Sequence, residues 1–175
     1  LVVDGSGNIY FSRTLEDNSS NSICKISPEG VLTTVAGGGN SHPPDDGSIA
    51  ATSVTMVLPS GPPRLAVDSS GNLYFWDNTW RWVGGDEAEH GPRIMKVDTN
   101  GLMTTIAGAG SSFTEGGQAL GMKISNPGTY WYTDSSLVVD GSGNIYFSRT
   151  LEDNSSNSIC KISPEGVLTT VAGGG

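Results

Sequence analysis

The chain has 175 residues, with eighteen acidic against nine basic side chains and a formal net charge of −9. That balance excludes nucleic acid as the expected partner, because phosphate binding needs clustered Lys and Arg, and it disfavours anionic membrane surfaces. Only 15% of residues are charged while glycine occurs 25 times, a turn-rich, polar-neutral composition that fits an all-β extracellular or cell-surface protein better than a helical cytosolic one.

No apolar run is long enough to span a bilayer, so no membrane insertion is expected. The chain starts without Met, inside a strand-like pattern. It reads as a piece of a longer polypeptide, and its lack of a signal peptide says nothing about location.

Residues 1–39, LVVDGSGNIYFSRTLEDNSSNSICKISPEGVLTTVAGGG, return letter for letter as residues 137–175. Between them lies a looser relative: LAVDSSGNLYFWD from Leu65, then RIMKVDTNGLMTTIAGAG from Arg93. Internal repetition of this kind decides the architecture before any single residue is weighed.

Each copy reads as four short strands. In the first they fall at 1–4, 8–11, 23–26 and 31–35, and in the middle copy at 65–68, 72–76, 93–97 and 102–107. β-Branched and aromatic residues fill these segments, and Gly, Asp, Asn and Ser bound them. DGSGN and DSSGN suit a tight hairpin, since Gly and Asn tolerate positive φ. SPEG and DTNG suit a second short turn.

Four antiparallel strands per unit, repeated, form the blade of a β-propeller. The run L-x-V-D-x-x-G-N-L/I-Y, then I-x-K-I/V, then G-x-x-T-T-V/I-A-G-x-G resembles the NHL repeat, closest to the long-spacer bacterial type. The chain departs from that pattern at Cys24 and Met95, where Arg or Gln is usual, and in its long second loop. The resemblance implies an all-β fold of four-stranded antiparallel propeller blades, and implies no particular activity. The expected organisation is a blade at 1–39, a spacer at 40–64, a variant blade at 65–110 with a long loop at 77–92, a spacer at 111–136, and the exact copy at 137–175. Three blades are too few for a closed ring, which typically needs about four to eight. The expected partners are therefore further blades of a longer chain, or other copies of the protein.

Leu65 follows Leu1 by 64 residues and Leu137 follows Leu65 by 72, against the usual roughly 40–50 residues per blade. The excess lies in the spacers and in the connections between second and third strands, at 12–22 and 77–92. Strands alternate direction, so both connections leave from one end of the blade, and that elaborated face is where binding is expected. Val54, Met56, Val57 and Leu58, with Ala119, Leu120, Met122 and Ile124, are apolar enough to fold a helical or extended turn over it.

The richest cluster there is WDNTWRWVGGDEAEHGP. Trp76, Trp80 and Trp82, followed by Asp86, Glu87, Glu89 and His90, suit an aromatic platform that stacks on a sugar ring or grips a protein. The same residues also suit an extended hairpin whose Trp side chains pack on their own blade. Tyr130, Trp131 and Tyr132 form a similar patch with the same alternative.

Asp4, Ser6 and Asn8 mimic the start of a calcium loop but lack its closing Glu, and read as a tight turn. Asp45 with Asp46, and Asp86 with Glu87, are weak Ca²⁺ candidates beside ordinary turn roles. No cofactor is expected otherwise. Asn18 and Asn154 head N-x-S glycan-acceptor motifs.

The two cysteines, Cys24 and Cys160, occupy one repeat position and read as small buried hydrophobes. His42 and His90 lack zinc-ligand spacing, and no G-x-S-x-G elbow occurs. The family includes a lyase with metal and base residues around a central channel, but no His falls in a strand here. The expected role is a non-catalytic scaffold that contacts a protein or glycan. The alternatives are a self-assembling or filament-forming repeat, and a fragment of a catalytic propeller.

Overall fold

A computed structural model describes residues 1–14, 21–58, 65–78, 92–110, 112–124, 136–150 and 157–173. These residues are all-β and form three antiparallel sheets. Sheet I comprises β1 (Val2–Val3), β2 (Ile9–Thr14), β3 (Asn21–Ile26) and β4 (Leu32–Gly37) in chain order. Sheet II takes β5 (Ile49–Ala50) as its outermost strand, followed inward by β9 (Leu102–Ala107), β8 (Arg93–Val97), β7 (Leu73–Asp77) and β6 (Leu65–Val67). Sheet III comprises β10 (Leu137–Val139), β11 (Ile145–Thr150), β12 (Asn157–Ile162) and β13 (Leu168–Gly173). Among the described residues no helix is long and apolar enough to cross a membrane.

The first hairpin of every sheet is closed by one aspartate. Asp68 accepts from the Ser70 and Asn72 backbone N–H groups, each at 2.9 Å, from Asn72 Nδ2 at 2.7 Å and from the Tyr74 hydroxyl at 3.1 Å. Asp4 and Asp140 repeat the arrangement with Ser6, Asn8 and Tyr10, and with Ser142, Asn144 and Tyr146. The D-x-S-x-N run is thus a turn whose carboxylate is occupied by N–H and O–H donors. The later glycine supplies the left-handed residue, at φ 83°, 87° and 82° for Gly7, Gly71 and Gly143.

Each sheet also carries one register shift between its third and fourth strands, at Ile23/Cys24, Ile94/Met95 and Ile159/Cys160. The glycine ending the TTVAG or TTIAG run faces this irregularity. A Cβ at Gly37, Gly108 or Gly173 would run into the carbonyl of Asn21, Pro92 or Asn157. Those glycines are required by close backbone approach.

Two of the expectations need correction. The connection at 12–22 is shorter than expected, because β2 and β3 continue pairing through Ser12–Ile23, Arg13–Ser22 and Thr14–Asn21. The spacers are also more than turns laid over one end. Residues of the first give sheet II its fifth strand, pairing Ile49 with Met103 and Ala50 with Leu102. The second makes the equivalent bridge from Gln118 to Val167. Each spacer then turns through one 3-10 segment, Ala51–Ser53 or Ala119–Gly121, and sends apolar side chains between two sheets.

Two cores result, one at each junction. Between sheets I and II, the back of sheet I (Val2, Tyr10, Ile23, Val35, Ala36) meets the front of sheet II (Leu65, Val67, Leu73, Phe75, Met95, Val97, Met103). Ala51, Val54 and Met56 of the spacer fill the gap and are fully buried. Between sheets II and III, the back of sheet II (Ala66, Tyr74, Trp76, Ile94, Ile106, Ala107) meets the front of sheet III (Leu137, Val139, Ile145, Phe147, Cys160, Ile162, Leu168), with Ala119, Met122 and Ile124 between. The first strands are neighbours, with β6 touching both β1 and β10. The free thiols of Cys24 and Cys160 are buried, as expected of small hydrophobes at that strand position.

Sheets I and III have one sequence yet bury opposite faces. Ile23 is 0% exposed and its copy Ile159 is 48%, whereas Leu32 is 54% exposed and its copy Leu168 is 0%. Ile9 at 37% against Ile145 at 4% follows the same rule.

Candidate functional site

The side chains singled out as binding candidates, Trp80, Trp82, Asp86, Glu87, His90, Tyr130, Trp131 and Tyr132, lie outside the described residues, as do the glycan-acceptor candidates Asn18 and Asn154. Trp76 is described, and it leaves the expected platform. It sits in β7, 1% exposed, with its ring edge-on to Phe147 at 5.6 Å between centroids. Its position follows from strand alternation, which turns it onto the same back face as Tyr74.

What the described residues do show is how the two strand ends that flank residues 79–91 are held. Asp77 and Arg93 face each other as the last cross-strand pair of β7 and β8. Both are buried, and Arg93 Nη2 donates to Asp77 Oδ2 at 3.5 Å. Arg93 Nη1 reaches Asp45 Oδ1 of the first spacer at 3.1 Å. Asp77 Oδ1 in turn accepts from the Val57 backbone N–H at 3.3 Å, and the Asn78 N–H donates to the Val57 carbonyl at 2.7 Å. Loop base and spacer are therefore tied together, as the shared end of the strands requires. Asp45, a weak calcium candidate, has a guanidinium as its neighbour.

This buried ion pair was missed in the sequence. The signal was present: an Asp closing one strand and an Arg opening the next become direct neighbours once the hairpin register is known. In sheets I and III the same two positions hold Arg13 with Ser22 and Arg149 with Ser158. There the cation sits on the other strand, and Arg149 lies over the Phe113 ring at 3.8 Å. Among the described residues, the buried Trp76 Nε1, Asn78 Oδ1 and Arg93 Nε have no hydrogen-bond partner.

A cleft of about 540 Å³ opens at the other end of the strands, between the tight turns of sheets I and II. Asp4, Tyr10, Lys25, Thr33 and Thr34 line one wall, and Thr52, Asp98, Thr99 and Asn100 line the other. Both carboxylates are engaged by their own turns. Asp98 accepts from the Leu102 and Asn100 backbone N–H groups, each at 2.9 Å. The Leu102 hydrogen bond is the main reason its carboxyl is held below the usual range. At Asp4 burial opposes ionisation, but donation from Asn8, Ser6 and Tyr10 outweighs it and keeps the pKa low. Tyr10 moves the other way, raised by burial and by the charge of Asp4.

The cleft can present hydroxyls and an ammonium to a small polar molecule, with its carboxylates ionised and structurally committed. At the junction of sheets II and III, the larger Gln118 and Leu120 stand where Ala50 and Thr52 stand here. Among the described residues no three His, Cys, Asp or Glu side chains come together as a metal site would require.

No protein-family model matches the chain, and no curated protein matches it.

Proposed function

We propose that the chain is a section of an NHL-like β-propeller scaffold, non-catalytic, that acts outside the cell or at its surface and holds a protein or glycan against its elaborated loop face. The observation that carries the architectural half is the sheet sequence itself. Three meanders share one register, one bulge position and one turn chemistry, and stack through equivalent faces with their first strands adjacent. Blades around a common axis have that arrangement.

The binding half rests on the loop base. The buried Asp77–Arg93 pair and its ties to Asp45 and Val57 fix the two strand ends that flank residues 79–91. Loops anchored in this way are where scaffolds place their contacts, and this one carries Trp80 and Trp82. The test is a glycan array and a protein-binding screen of the intact chain beside the double variant Trp80→Ala, Trp82→Ala. Loss of a specific signal with an unchanged melting temperature supports the reading. An unchanged signal removes these residues from it.

A further inference from the structure

We infer that the cleft between the tight turns of sheets I and II binds a small neutral polyhydroxylated molecule, the size of one or two sugar residues. The cleft lies at the opposite end of the strands from those that flank residues 79–91, and the inference is independent of the loop-face reading. Sheets I and II supply both walls, and the core between the sheets sets their separation. At about 540 Å³ the cleft falls within the ordinary range of small-molecule sites.

The two junctions of the chain differ at this place. Ala50 and Gln118 hold equivalent positions, since the next residue in each spacer, Ala51 or Ala119, donates its N–H to the Gly101 or Gly166 carbonyl. At the second junction Gln118 lies against the facing turn, so that a Cβ at Gly166 would come within 3.0 Å of its Oε1. At the first junction Ala50 has nothing to reach with, and a Cβ at Gly101 would meet nothing within 4 Å. Two residues further along each spacer, the half-buried Leu120 has the exposed Thr52 as its counterpart. The lysines differ as well. Lys96 Nζ stands 5.8 Å from the centre of the Tyr74 ring, whereas the Lys25 ammonium has no ion pair or ring contact among the described residues.

The ligand class follows from what the walls offer. The hydroxyls of Thr33, Thr52 and Thr99 line the cleft beside Lys25 and have no partner among the described residues. Asp4 and Asp98 line it too, with their oxygens already accepting from their own turns. Two carboxylates against one ammonium disfavour an anion, and the ammonium disfavours a cation. Free hydroxyls that both donate and accept, set beside apolar Val35 and Ala50, match the hydroxyls and C–H faces of a neutral sugar.

The test is a titration of the isotope-labelled intact chain, followed through its backbone amide chemical shifts. The probes are glucose, galactose, mannose, N-acetylglucosamine, maltose, cellobiose and lactose, with sodium glucuronate as the anion. At least one neutral sugar is expected to give saturable shifts at the Thr33, Thr52, Thr99 and Asn100 amides. Lys25→Met removes a charged donor and is expected to weaken that binding about tenfold or more. The double variant Ala50→Gln, Thr52→Leu installs the residues of the second junction and is expected to abolish it. Both positions are exposed, so the fold is expected to persist, with far-UV circular dichroism as the check. Thr99→Val, expected to weaken binding, takes its place if the double variant does not fold. No saturable shift at the cleft with any neutral sugar overturns the inference, and so do shifts confined to amides outside it. Tighter binding of glucuronate than of the neutral sugars overturns it too, as does undiminished binding in the filled variant.

Discussion

Sheets I and III differ in nothing but their neighbours. Their 39 residues are identical, the pairings among their second, third and fourth strands coincide residue for residue, and both shift register at the same place. The side chains that form the core are nevertheless different in the two. Sheet I has sheet II on its back and sheet III has it on its front, so Ile23 is core where Ile159 is surface, and Leu168 is core where Leu32 is surface. Local conformation travels with the sequence. Burial, and the stability that comes from it, does not.

The sharpest way to break that comparison is to make the same substitution twice. Ile23→Ala deletes buried methyl groups at the first junction and is expected to cost about 2–5 kcal/mol, the usual range for such a core truncation. Ile159→Ala removes the same atoms from a half-exposed site and is expected to stay within about 0.5 kcal/mol. The mirror pair reverses the order of the copies: Leu168→Ala is expected to be the costly one and Leu32→Ala the mild one. Urea melts of the four variants decide it. Equal losses at Ile23 and Ile159 would mean that the two faces are buried alike in solution.

A backbone requirement should behave in the opposite way. Gly37 and Gly173 both sit at φ 81°, and at each a Cβ would meet the carbonyl of the facing strand. The left-handed conformation alone costs an L-residue about 1–2 kcal/mol. Gly37→Ala and Gly173→Ala are therefore expected to lose similar stability in spite of their different surroundings. A loss confined to Gly37→Ala would show that the strain is relieved at the outer end of β13, and would weaken the claim that local geometry is carried by sequence alone.

This division between local and contextual terms explains how much was legible in the chain. The strands and tight turns could be read because the residues that cause them are adjacent: Asp68, Asn72 and Tyr74 lie within a few positions and meet at one carboxylate. The fifth strand of sheet II could not, since Ile49 and Ala50 pair with residues more than fifty positions away and carry no strand pattern of their own. Trp76 shows the limit most clearly. Composition grouped it with Trp80 and Trp82, while its strand phase sends it into the core against Phe147. The ion pair of Asp77 and Arg93 needed the hairpin register, and the tie from Arg93 to Asp45 needed the course of the spacer. The expected aromatic platform itself rests on residues outside the described set.

Acid should produce the smallest difference and still rank the turns. At Asp68 burial opposes ionisation, and the hydrogen bonds from Asn72, Tyr74 and Ser70 outweigh it, so the folded pKa lies below the ordinary 3.8. At Asp140 the Asn144 side chain and backbone dominate, with the same net direction. A carboxyl whose pKa is lowered by folding binds its proton more readily in the unfolded chain. It therefore contributes stability fully above the unfolded pKa, and that contribution is lost as pH falls through 3.8 towards the folded value. Thermal melts are expected to hold level down to about pH 5 and then to fall. Asp68→Asn removes one such group, so its melting temperature is expected to be lower at neutral pH and to fall less steeply in acid. Asp140→Asn faces the same local donors with its Tyr146 half-exposed rather than buried like Tyr74, and is expected to change the acid slope less. If the two variants flatten the slope equally, the turn alone sets the acid response and the neighbouring sheet contributes nothing to it.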